Sequence, residues 1–192
     1  MTARRLFGVR GGLIAAPMNI RFARFMPVVL LLALPAAAQT KKPTHPAAAA
    51  AAGPKKTGDF GDWTAATHAE SGQTVCYAFT RVQSSTPTLP GRGAVVLTVT
   101  ERSSGRDAVA IEAGLAYGKD ATVTVQVDQT GLEFYTSGRN AFARDGKAAV
   151  TAFNKGSRAI ARSPAPKEVT DTFSLKGFGQ AYAAIVKACP AK

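Results

Sequence analysis

From about residue 60 onward, hydrophobic and polar residues alternate with the period of a half-buried strand. The cleanest case is ATVTVQVD (121–128), where Val123, Val125 and Val127 face one way and Thr122, Thr124 and Gln126 the other. AVVLTVTER (94–102) sets Val95, Leu97 and Val99 on one face, with Glu101 following at the exit of the strand. DWTAATH groups Trp63, Ala65 and Thr67, AVAIEA pairs Val109 with Ile111, and EVTDTFSL aligns Val169, Phe173 and Leu175. NAFAR (140–144) and SRAIAR (157–162) read as further short strands. VCYAFTRV (75–82) is denser and reads as a strand buried on both faces. DQTG is a turn signal leading into LEFYTS, which predicts a hairpin over 122–136 with Leu132 and Phe134 inward. Short strands divided by turn residues predict a mainly β domain, a sandwich or a barrel.

Two stretches change period. DGKAAVTAFNKGS puts Ala149, Val150 and Phe153 on one helical face with Gly156 as a stop, predicting a helix near 146–155. At the C-terminus, Phe178, Tyr182, Ile185 and Cys189 fall at offsets of four, three and four, one apolar stripe of a helix that docks on the sheet. The only other cysteine is Cys76, in the dense strand. In an oxidising compartment this pair is expected to form a disulfide, the alternative being two buried free thiols. Closing so long a loop contributes roughly 4–5 kcal/mol by chain entropy. The wide separation marks the pair as structural, since redox-active cysteines more typically lie close in sequence.

The compartment is read from the N-terminus. Arg21 and Arg24 precede an apolar run from Phe25 to Ala38, with Ala36 and Ala38 at the small positions before a cut between Ala38 and Gln39. Residues 1–38 are therefore expected to be a signal peptide, with Met18 as an alternative start, and no membrane span is expected once it is removed. The RRLF at 4–7 is separated from the apolar run by Arg21 and Arg24, which favours the general secretory route. Residues 39–58, rich in Ala, Pro and Lys, read as an exposed linker, and 59–192 as the folded domain. The formal charge of +12 includes five basic residues before residue 39, so export leaves +7. A basic surplus of this kind serves solubility or favours an anionic partner.

Candidate chemistry is sparse. Of two histidines, His45 lies in the linker and His68 near a strand end, where it reads as a surface residue. No Cys, His and carboxylate grouping has metal-ligand spacing, and the glycines of LPGRGAVVL and SLKGFGQ do not match a phosphate loop. Gly177, beside Lys176, reads as relief of crowding where strand meets helix rather than as an anion site. Asp59/Asp62 and Asp107/Glu112 read as turn residues, and ERSSGRD as a polar turn whose two arginines are free for a partner. Phe134, Phe153, Phe173 and Phe178 occupy core-facing positions, so no aromatic platform for nucleic acid is expected. The residues thus nominate no catalytic, cofactor or metal site.

CYAFTR (76–81), ATVTVQVDQTGLEFYTSGRNAFARD (121–145) and above all TDTFSLKGFGQAYAAIVKACP (170–190) resemble the invasion-associated locus B family of Gram-negative bacteria, with GDW (61–63) at the domain start. The resemblance spans about residues 60–190 and implies an immunoglobulin-like β-sandwich in the periplasm, secreted or at the outer surface. It further implies structural roles for Trp63, Cys76, Gly177, Phe178 and Cys189, and a link to bacterial entry into host cells. Some relatives carry a further cysteine near the domain start, which DWTAATHAE lacks.

The combined expectation is a non-enzymatic envelope or secreted binding protein without cofactor, meeting an unidentified protein or an anionic envelope or host-surface partner. Its rivals are a structural or stress-related periplasmic protein and an enzyme of unrecognised type. Convergence of Lys119, Arg139, Arg144, Lys155, Arg158 and Arg162 on one face would favour the first, and a deep pocket joining His68 to a carboxylate the last.

Overall fold

The computed structural model describes residues 53–164 and 168–191. The expected signal peptide with its Ala38–Gln39 cut, Met18, His45 and the linker up to residue 52 lie outside them.

Eleven strands form one antiparallel sheet: β1 (Lys55–Phe60), β2 (Trp63–Glu70), β3 (Gln73–Arg81), β4 (Ser84–Thr86), β5 (Val96–Arg102), β6 (Gly105–Glu112), β7 (Thr122–Val127), β8 (Thr130–Ser137), β9 (Asn140–Ala143), β10 (Arg158–Ser163) and β11 (Val169–Ser174). Their spatial order is β1-β2-β3-β5-β6-β9-β8-β7-β10-β11-β4. The sheet coils back on itself, so that Trp63 on β2 donates its indole N–H to the Ser174 carbonyl on β11 at 2.9 Å. Gln83, leaving β3, donates to the Thr172 carbonyl at 2.8 Å. The sandwich-like fold expected from the alternation is present, with the two layers supplied by halves of a single sheet.

One face of each strand except β1 and β4 feeds one core. Val123, Val125 and Val127 are buried while Thr122 and Thr124 are exposed, and Leu132 and Phe134 face the same interior from β8. Val127 pairs with Thr130 across the two-residue turn expected there, with Asp128 in the left-handed region (φ 49°). Aspartate tolerates that conformation better than most residues.

Helix α1 (Gly146–Lys155) lies where the period change put it. Asp145 caps it by accepting from the Ala148 N–H at 2.9 Å, and Gly156 ends it by donating to the Ala152 carbonyl. Ala149, Val150 and Phe153 are buried. Helix α2 (Phe178–Ala188) packs Phe178, Ala181 and Ile185 onto β2 and β3. Each large apolar side chain so buried contributes about 1.5–3 kcal/mol. Cys189, just past the helix, is joined to Cys76 on β3 by a disulfide with Cα atoms 6.0 Å apart and a sequence separation of 113.

Three expectations need correction. Ordered chain begins before residue 59: β1 starts at Lys55, inside the stretch read as linker, because its backbone pairs with β2 despite a polar sequence. β3 is buried on both faces only at Val75 and Cys76; beyond them Ala78 and Thr80 point inward, while Tyr77 and Phe79 are half-buried on the outer face. Glu101 sits at the strand exit as read, where it continues the inward row after Leu97 and Val99 and is fully buried. The arginines of ERSSGRD are engaged within the fold: Arg102 with Glu70 at 2.9 Å and Arg106 with Glu101 at 2.6 Å.

Candidate functional site

The same alternation that fills the core sorts an outer face. On β5 the outward residues are Val96, Thr98, Thr100 and Arg102. Register sets Phe79 beside Thr98 and Tyr77 beside Thr100, while His68 on β2 lies opposite Val75 on β3. These side chains, Val75 excepted, line a groove of about 600 Å³ that runs over β2, β3 and β5 and is bordered by Gly53 and Pro54. The His68 ring meets Tyr77 edge-on at 5.4 Å, and Tyr77 stacks with Phe79 at 6.0 Å and 26° between planes. Arg102 closes one end. Its Nε donates to Glu70 at 2.9 Å, and its terminal nitrogens make no hydrogen bond among the described residues. Among the described residues, no carboxylate lines the groove. The arrangement offers aromatic faces, threonine hydroxyls and one cation, which suits binding; His68 has no acid partner there for proton transfer.

Two polar clusters lie on the inner side. In the first, Glu101 faces Cys76 across the β3–β5 ladder. Its Oε1 accepts from the Asp107 N–H at 3.1 Å, and Arg106 sits 2.6 Å from Oε2 as an ion pair without the alignment of a hydrogen bond. Arg106 also donates to the Cys189 carbonyl and Tyr182 donates to Asp107, both at 2.5 Å. Burial pushes the Glu101 carboxyl above its ordinary range, opposed by the Asp107 N–H and by Arg106. Burial, then the bond to Asp107, pushes the Tyr182 phenol up. Asp107, read as a solvated turn residue, is thus part of the clasp that ties the β5–β6 turn to α2; its nominal partner Glu112 is exposed.

In the second cluster, Arg92 and Asp171 form a two-pronged ion pair, both contacts 2.7 Å, with the side chains 7% and 1% exposed. Ser85 donates to the same carboxylate and Arg92 to the Ala113 carbonyl. Burial raises the nearby Tyr117 phenol. Removing either charge would strand the other, so this pair locks the closure of β4 on β11.

The remaining expected positions resolve as follows. Trp63 is buried, its ring 4.8 Å from Phe178, which also meets Phe153 and Tyr182. Gly177 has φ 88°, and a Cβ there would run into the Phe60 carbonyl. Asp59 binds Lys56 and Thr64, which hold its carboxyl below the ordinary range. Of the six basic residues, Arg144 lies 3.7 Å from Glu133, and Arg162 is in register with Thr124, which pairs in turn with Glu133. No grouping of His, Cys, Asp and Glu among the described residues could hold a metal ion, and none of their helices is long and apolar enough to cross a membrane.

Sequence reasoning missed Tyr77, Phe79, Arg92, Glu101 and Asp171 as positions of interest. The signal was present for Glu101 and Asp171, which sit in phase with buried neighbours. It was absent for Arg92, a loop residue between glycines.

Fold and site together define a disulfide-stapled β-sandwich domain whose outward chemistry is an aromatic and threonine-lined groove. The chain belongs to the invasion associated locus B family, whose description as "Invasion associated locus B (IalB) protein" matches residues 63–186. In fold it is similar to the crystal structure of invasion associated protein B from Bartonella henselae, with a TM-score of 0.52 and 18% identity over 68% of this chain and 95% of that one. No curated protein matches the chain by sequence.

Proposed function

We propose that the chain is an exported, non-catalytic binding module of the bacterial envelope, with the groove over β2, β3 and β5 as its contact surface. The observation that carries this reading is the placement of Tyr77 and Phe79, two aromatic rings half-buried in an open groove rather than in the core. Such rings forgo part of the ~1.5–3 kcal/mol that full burial contributes, and aromatics left in that state are enriched at contact surfaces. The N-terminal basic and apolar stretch supports export. Family membership connects the protein to a group named for association with invasion, so contact with a host cell is one setting in which the module acts.

The test immobilises the exported chain and a Thr98→Glu variant and exposes both to envelope extract. Thr98 lies in the groove floor, half-buried, so a carboxylate there obstructs the surface without entering the core. Retention of one component by the wild type, lost in the variant, is expected; equal retention by both would remove the groove from consideration. N-terminal sequencing of the exported protein is expected to begin at Gln39.

A further inference from the structure

We infer that the groove binds a carboxylated polysaccharide of the envelope, a ligand class that deepens the proposal above and rests on it. Sugars present two kinds of surface, apolar C–H faces and rims of hydroxyls. The groove meets both. Tyr77 and Phe79 stack nearly parallel at 6.0 Å, a tandem platform on which successive sugar faces can lie, with His68 edge-on to Tyr77 as a flank. Thr98 and Thr100, each one strand away from an aromatic partner, bring hydroxyls to the same floor. Tyr, Thr and His all donate and accept, matching hydroxyl rims without committing to one sugar stereochemistry.

Charge decides what kind of glycan. Among the described residues, the groove is lined by Arg102 and by no carboxylate. Glu70 holds Arg102 by Nε, which fixes the plane of the guanidinium and leaves its terminal fork for a ligand carboxylate. With Arg102 as its one charged lining residue, already paired with Glu70, the groove has no cluster of cations to hold a densely sulfated chain, so the surface complements a polyuronate rather than a sulfated glycosaminoglycan. The basic surplus of the exported chain adds a general attraction to such a polymer.

The test is calorimetric titration of the exported, oxidised chain with polygalacturonate, with its fully methyl-esterified form and with dextran sulfate. The wild type is expected to bind polygalacturonate, at least tenfold more tightly than the ester. Tyr77→Ser, which leaves net charge unchanged, is expected to weaken binding at least tenfold; Thr98→Glu does the same and carries the test if Tyr77→Ser fails to fold. Undiminished binding by the folded variants, or dextran sulfate bound as tightly as polygalacturonate, would reduce the effect to non-specific charge and overturn the inference. No binding to polygalacturonate also overturns it. If Thr98→Glu meanwhile loses the envelope component, the groove remains a contact surface for something other than this glycan; if it keeps that component, the groove reading itself falls.

Discussion

Glu101 shows how one side chain can couple a strand, a turn and a helix end. It continues an apolar row into a buried carboxylate that answers Arg106 and the Asp107 N–H, and Arg106 in turn holds the carbonyl of Cys189. Burial raises its folded pKa, so the native state keeps a proton that the unfolded chain has already released. The wild type therefore loses stability from this group as pH rises from the ordinary glutamate value, about 4.3, through the folded one. Glu101→Gln carries no such proton. In urea unfolding across pH, the variant is expected to gain on the wild type over that window. A variant that instead falls further behind with rising pH would mean that the Arg106 ion pair outweighs burial.

At the scale of elements, α2 is the clearest case of sequence dictating position. Its stripe from Phe178 to Cys189 was legible because helical spacing, a preceding glycine and a cysteine all pointed one way. The entry to α2 depends on Gly177, held at φ 88° against the Phe60 carbonyl. Gly177→Ala is expected to cost about 2–4 kcal/mol, from the left-handed penalty plus displacement of β1, measured by thermal or urea unfolding. A cost well below 1 kcal/mol would show that β1 shifts freely. The disulfide fixes the other end. Replacing both Cys76 and Cys189 by Ser is expected to cost about 4 kcal/mol in urea unfolding, in keeping with the 113-residue separation. Other elements were less legible for physical reasons. β1 (KKTGDF) and β4 (SST) lack an apolar alternation, being edge strands that exist by pairing alone. In β3, a continuous apolar run looked two-sidedly buried, because periodicity cannot distinguish a ring in a core from a ring in a groove.

At the scale of the whole molecule, that ambiguity separates the fold from the site. Alternation, two helical stripes and a cysteine pair determine a sandwich with one core, and they do so locally. The groove depends on which strands become neighbours: β3 and β5 are adjacent although β4 lies between them in sequence, and only this adjacency brings Tyr77 and Phe79 beside Thr98 and Thr100. Of the basic residues, more conspicuous in the sequence, Arg102, Arg106 and Arg144 are engaged in ion pairs. Under the proposed function, specific contact falls to the groove. Hydroxyl-radical footprinting of residues 39–192, with and without envelope extract, tests this most directly, because it reads aromatic side chains individually. Tyr77, Phe79 and His68 are expected to lose reactivity while Tyr135, 45% exposed on β8, keeps its own. Protection of Tyr135 with Tyr77 and Phe79 unchanged would place the contact elsewhere and contradict the account.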